Sequence, residues 1–244
     1  AYLKSLGVPI SANDHGYQIQ GPMYLPNVDL IGQSIEVPVR LEPEVSSTNT
    51  LVLESRQPQC LLTLYQNQGR GRRGRRWVAA PGASLMLSVG QWMAQGIQEI
   101  KGLSVEIGVS ICHYLQVLGL HVGLKWPNDL WIDDAKLAGI LVEVQGDQEQ
   151  TFVVVGFGLN LQQPLSVDSR VAAIDSALDR PWTDRDSAGL IESVLSSIRN
   201  YSATPTEMRI SRYLAVSVLE GRVVNVKGAS SLLTGIAQGL SLIH

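Results

Sequence analysis

Apolar positions along the middle of this chain fall into short runs rather than long amphipathic stripes. Cys60-Leu61-Leu62-Thr63-Leu64-Tyr65 and Ser84-Leu85-Met86-Leu87-Ser88-Val89 both have strand length. A segment of glycine and arginine and the turn signal Pro81-Gly82 separate them. Residues 122–132 read as strand, turn and strand, with Pro127-Asn128-Asp129 as the turn and Asp133-Asp134 as the next hairpin tip. Residues 136–144 and 151–160 read as two further strands. Val37 to Leu41 reads as an edge strand, where Pro38 is tolerated. The longest helical pattern covers 97–118: Ile100, Leu103, Ile107, Ile111, Tyr114, Leu115 and Leu118 share one face, and Gly119 is the expected stop. Val105, Val109 and Val117 leave this helix little polar surface, which predicts burial. Shorter helices are expected from Asn27, a good N-cap, to Ile35, and over 46–54, 187–200 and 207–216. Val223 to Val226 opens a small β segment.

Composition adds limits. The 244 residues suffice for one medium domain with small appendages. Of them 45% are hydrophobic and 17% charged, as in ordinary globular proteins, and the net charge of −3 argues against a nucleic-acid enzyme. Cys60 falls on a strand and Cys112 on a helix, so two buried thiols in a reducing compartment are expected rather than a disulfide. With no apolar run approaching a membrane span and no signal peptide, the expectation is a cytoplasmic protein without membrane contact. Residues 1–25 show the end of a helix, stopped at Gly7, and a short hairpin. They are too few to bury a core and read as a remnant.

The candidate chemistry gathers in Gln66-Asn67-Gln68-Gly69-Arg70-Gly71-Arg72-Arg73-Gly74-Arg75-Arg76-Trp77. This is a flexible cationic loop between two strands. Glycines let backbone amides approach a ligand, and arginine forks grip carboxylates and phosphates. Gly69-x-Gly71-x-x-Gly74 matches a dinucleotide fingerprint literally, but that motif requires a helix to open there and an acid about 20 residues on. Here a turn and a strand follow, and position 94 is Ala. A small anion such as a nucleotide or acyl phosphate remains, beside the bland reading of a solvated loop. Ser47, Thr48 and Asn49 have the chemistry of a helix cap. Gly139, Gly156 and Gly158 interrupt strands, which favours a ligand lying against the backbone. His113, alone on its helix, is assigned no chemistry.

Gly69 to Trp77, Lys125-Trp126-Pro127-Asn128-Asp129-Leu130, Lys136-Leu137-Ala138-Gly139-Ile140-Leu141, Gly156-Phe157-Gly158-Leu159-Asn160 and Ser47-Thr48-Asn49 together resemble the motifs of the biotin protein ligases. The resemblance spans roughly 26–216. It implies an α+β fold: a mixed β-sheet catalytic domain of the biotin/lipoate ligase type at 26–216. Residues 1–25 would be the end of an N-terminal winged helix, and 217–244 a partial SH3-like C-terminal domain. It further implies that biotin and ATP, with Mg²⁺, give biotinyl-5′-AMP, and that a lysine of a biotin carboxyl carrier protein, an acetyl-CoA carboxylase subunit, is then acylated. By the same resemblance Ser47, Thr48, Asn49 and Gln66 bind the ureido ring, displacing the capping preference. Gly69, Arg70, Gly71 and Arg72 close over the biotin tail, and Gly139, Gly156 and Gly158 line its slot. Lys136 and Arg72 are the catalytic cations. Arg72, Arg75, Trp77, Asn128, Asp129, Lys136 and Asn160 meet the nucleotide. Ser46 departs from the Asp common in the family. The resemblance also implies homodimers through sheet edges and, for a longer parent with an intact winged helix, repression at operator DNA. A lipoate or octanoate transferase of the same fold and an inactive truncated fragment are the alternatives.

Overall fold

The computed structural model describes residues 2–14, 16–20, 23–163, 170–227 and 232–239. In chain order the elements are α1 (Tyr2–Ser5), β1 (Ile10–Asn13), β2 (Gly16–Ile19), α2 (Val28–Gly32), β3 (Val39–Val45), α3 (Thr48–Ser55), β4 (Gln59–Gln66) and β5 (Ser84–Met93). There follow α4 (Leu103–Val117), β6 (Val122–Lys125), β7 (Asp129–Ile132), β8 (Ala135–Gly146), β9 (Thr151–Asn160), α5 (Asp184–Asn200), α6 (Thr206–Val216), β10 (Val223–Lys227) and β11 (Leu232–Ile236). Seven strands form one mixed sheet in the order β3-β4-β5-β9-β8-β7-β6, parallel between β3 and β4 and antiparallel elsewhere. The pairs β1-β2 and β10-β11 are separate hairpins. This is the mixed α+β sheet that the motifs imply.

The central strand explains the layering. Every residue of β9 is buried, because helices cover both faces of the sheet. Val153, Val155, Phe157 and Leu159 belong to the main core with α4 and α5. Phe152 and Val154 pack instead with Val52 of α3 and Leu61. A strand buried on both sides reads as a continuous apolar run, as this one does. Pro43 sits within β3, where an outermost strand can spare a donor.

α4 starts at Leu103 rather than near residue 97. Gly102, at φ +91°, occupies a left-handed conformation that ends the preceding turns, although Ile100 is buried as expected. Gly119 stops the helix at φ +95°, with the Gly119 and Leu120 amides donating to the Gln116 and Leu115 carbonyls. Gly108 lets α4 approach the sheet, since a Cβ there would lie 2.8 Å from Leu124. Cys60 and Cys112 are buried free thiols, and burial raises both, Cys112 to about 12. No helix among the described residues is long and apolar enough to cross a membrane.

α5 begins at Asp184, three residues before the sequence reading placed it. Thr183 and Asp186 form a capping box: the Asp186 amide donates to Thr183 Oγ1 and the Thr183 amide donates to the Asp186 carboxylate. Arg180 adds two bonds to that carboxylate, at 2.6 and 2.8 Å. Burial alone would raise the Asp186 pKa; the Arg180 and Thr183 hydrogen bonds outweigh it and hold it below the ordinary carboxylate range. A lowered folded-state pKa gives stability that is present above the unfolded-state value and lost as pH falls through the folded one. Asp186→Asn is therefore expected to cost about 2 kcal/mol at neutral pH, with Arg180 half exposed and partly screened. Urea unfolding at neutral and acid pH checks this: the gap between wild type and variant should close only as pH drops below the usual carboxylate range.

Candidate active site

Strand register builds a glycine floor on the α3 side of the sheet. Ser88 of β5, Gly156 of β9 and Leu141 of β8 are cross-strand partners in one row. Met86, Gly158, Gly139 and Asp129 form the next. A Cβ on Gly156 would stand 2.1 Å from Asn49 Oδ1, one on Gly158 2.6 Å from the Trp77 ring, and one on Gly139 3.3 Å from both Trp77 and Lys136 Nζ. The three strand glycines thus seat the candidate side chains directly on backbone. Open depressions of about 420 and 470 Å³ lie elsewhere, along β3, and none of the sequence-predicted site residues lines them. The candidate site is instead the stretch of floor on which Asn49, Trp77 and Lys136 rest.

At one end of the floor stands a polar cluster. Ser47, Thr48 and Asn49 are each 3% exposed. Ser47 occupies the N-cap of α3, but its hydroxyl makes no capping bond, which corrects the capping reading. Gln66 Oε1 takes over that task, accepting from the Thr48 amide at 2.8 Å and from its hydroxyl at 3.3 Å. Asn49 donates both amide hydrogens, to Leu141 O at 3.1 Å and Glu143 Oε2 at 2.8 Å. Ser88 Oγ lies 2.6 Å from Asn49 Oδ1 and 2.7 Å from Thr48 Oγ1. Among the described residues, the Ser47 hydroxyl and the Gln66 amide nitrogen have no protein partner. The cluster therefore offers free donors beside an acceptor, Asn49 Oδ1, of fixed orientation.

The arginine segment connects β4 and β5 as expected, but it is not an open loop. The Trp77 amide donates to Gly69 O at 2.9 Å and the Gly71 amide to Arg75 O at 2.7 Å, while Arg70 bridges Arg76. A single 3₁₀ turn at Arg72–Gly74 forms the tip, with Arg73 and Gly74 at positive φ. Gly69 permits the closure, because a Cβ would lie 2.5 Å from Trp77 O. No helix opens behind the glycines, so the dinucleotide fingerprint is excluded. Arg70 pairs with Glu143 at 2.8 Å and Arg72 Nη1 donates to Asn128 Oδ1 at 3.2 Å. Arg73 and Arg75 are exposed and have no side-chain partner among the described residues.

The other end of the floor is cationic. Lys136 Nζ lies 2.8 Å from Asp129 Oδ1 and 5.6 Å from the Trp77 ring centroid. Trp77 Nε1 is buried without a partner, an orphan donor over the floor. Asn128 is fastened to β8, donating to Ile140 O at 2.7 Å and accepting the Ile140 amide. Asn160 differs from expectation: its amide is spent on the carbonyls of Ala172 and Lys136, at 3.2 and 3.4 Å, so it holds the Lys136 strand rather than presenting a free head. His113 is on α4, across the sheet from the site. Ser88 and Glu143 were missed in the sequence. Glu143 follows Gly139 and Leu141 at the strand period of two, which places it on the same face.

Residues 41–160 match the profile of the biotin/lipoate A/B protein ligase family. The bifunctional ligase/repressor BirA of Escherichia coli is 35% identical over 196 residues, covering 77% of this chain and 59% of that protein. The biotin–[acetyl-CoA-carboxylase] ligase of Mycobacterium tuberculosis is 34% identical, covering 68% of this chain and 64% of its own length. The chain thus spans less than two thirds of either relative. The fold is shared with the biotin protein ligase of Aquifex aeolicus solved with biotin and ATP, at a TM-score of 0.71 and 22% identity over 84% of this chain and 88% of that one. The match to the biotin/lipoate A/B protein ligase family covers residues 41–160, which hold every site residue described above.

Proposed function

We propose that this domain joins biotin to a lysine of a biotin carboxyl carrier protein, in two steps through biotinyl-5′-AMP. The observation that carries this reading is the arrangement along one glycine floor: a donor-and-acceptor cluster at one end, and Lys136 and Arg72 at the other. A cyclic urea has N–H groups for Asn49 Oδ1 and a carbonyl for the free donors of Ser47 and Gln66. The dithiolane ring of lipoate offers neither, which disfavours a lipoate transferase.

In the first step the biotin carboxylate attacks the α-phosphorus of ATP, the bond to the bridging oxygen breaks, and pyrophosphate leaves. Both reactants are anions. Lys136 and Arg72 offset the charge gathering between them, on the floor where Trp77 rests. In the second step a neutral lysine amine attacks the acyl carbon of the mixed anhydride, AMP departs, and the amine proton is lost. Among the described residues no three metal-ligating side chains cluster. Asp129 and Asn128 do place a carboxylate and an amide oxygen beside Lys136 and Arg72. That suits a Mg²⁺ ion delivered on the triphosphate, where it shields phosphate charge.

The test is incubation of the purified chain with labelled biotin, Mg-ATP and a carrier domain. Label should appear on the carrier and disappear when ATP is omitted. Absence of both transfer and biotin binding by a folded chain would refute the proposal.

A further inference from the structure

We infer that Glu143 is a positioning residue: one carboxylate oxygen fixes which way the Asn49 amide faces and ties it to the arginine turn. The inference rests on the ligase reading only for the identity of the ligand.

Glu143 Oε2 accepts from Asn49 Nδ2 and from Arg70 Nη2, each at 2.8 Å. A carboxamide can be turned over by 180° with little change in shape, so its orientation depends on its neighbours. Ser88 does not choose, because a hydroxyl can donate or accept. Leu141 O and Glu143 Oε2 do choose, since both require the NH₂ group, and the charged acceptor is the stronger of the two. With both hydrogens spent there, Asn49 Oδ1 is held over Gly156. The same carboxylate oxygen gives Arg70 its only side-chain ion pair among the described residues, so it also fastens the turn. Pocket polarity and turn closure therefore share one atom. Glutamine at 143 keeps an oxygen that can face both donors but carries no charge, so it loses the ion pair to Arg70 and weakens the bond to Asn49.

The experiment uses the full chain with Glu143→Gln and Glu143→Asp. Three readouts are taken: biotin affinity by calorimetry, the split between biotin KM and kcat for pyrophosphate release, and the rate of tryptic cleavage within Arg70 to Arg76 without ligand. Glu143→Gln should raise biotin Kd and KM by roughly tenfold, as expected for loss of one charge-assisted bond. Its kcat should stay within about threefold of wild type, and cleavage of the turn should quicken. Glu143→Asp, which keeps the charge, should recover part of both effects. Unchanged Kd and cleavage, a kcat-only effect, or a Gln variant that melts as a whole would each overturn the inference. Failure of the wild-type chain to bind biotin would refute the ligase reading instead, and the ligand-free cleavage assay would still decide whether Glu143 fastens the turn.

Discussion

Lys136→Ala is expected to slow adenylate formation by about ten- to a hundredfold while leaving biotin-ring binding nearly intact. The size follows from one charge-assisted contact to the reacting anions, about 1.5–3 kcal/mol if made chiefly in the transition state. Two features separate this effect from a loss of fold. The Lys136–Asp129 pair is partly exposed, at 30% and 23%, so its contribution to stability is small. The polar cluster lies at the far end of the floor and touches neither residue. Removing the cation also leaves Asp129 unpaired beside an incoming anion, so Lys136→Ala combined with Asp129→Asn should be less impaired than Lys136→Ala alone. Lys136→Arg should recover little, because a planar guanidinium does not place a compact point charge where Nζ stands between Asp129 and the Trp77 ring. Pyrophosphate release at saturating biotin and ATP measures all three variants. A wild-type rate in Lys136→Ala would remove Lys136 from the chemistry.

The elements legible in the sequence were those whose signal is local. Gly119 and the Asp133-Asp134 tip each ended an element through backbone geometry that no distant partner has to supply, whereas the edge strand placed at Val37 to Leu41 begins after Pro38, at Val39, and runs through Pro43 to Val45. Gly156 and Gly158 stood out in the sequence because a strand gives up stability to hold them. What closes on them was not readable. Ser88 meets Gly156 only through the β5-β9 register, across some 70 positions of chain, and Glu143 meets Arg70 across a similar span. The arginine turn looked open because its closure uses backbone bonds between Gly69 and Trp77 and between Gly71 and Arg75, which no side-chain pattern announces. The Ser47 cap was the reverse case. Local preference favoured it, and Gln66, from the next strand, supplied the acceptor instead.

Gly156→Ala should weaken biotin binding more than any other conservative change at the site. The added methyl carbon would lie 2.1 Å from Asn49 Oδ1, far inside contact distance, so one of the two must move. Asn49 cannot yield easily. Its amide is held by Ser88, Leu141 and Glu143, and α3 is pinned to the sheet by Val52, which is fully buried against Leu61, Phe152 and Val154. Overpacking of this kind costs about 1–3 kcal/mol. If the strain is relieved by displacing Asn49, biotin affinity falls by roughly five- to a hundredfold. Gly158→Ala, one row along, is the informative contrast. Its methyl would stand 2.6 Å from the Trp77 ring, whose indole N–H has no partner to hold it. Trp77 can therefore swing aside, and the damage should appear in ATP KM rather than in biotin affinity. Calorimetry with biotin and nucleotide-dependent pyrophosphate release on both variants tests the division. Equal losses of biotin and ATP binding in the two variants would mean that the floor is a single packed unit, and the separate roles given to its two ends would fall.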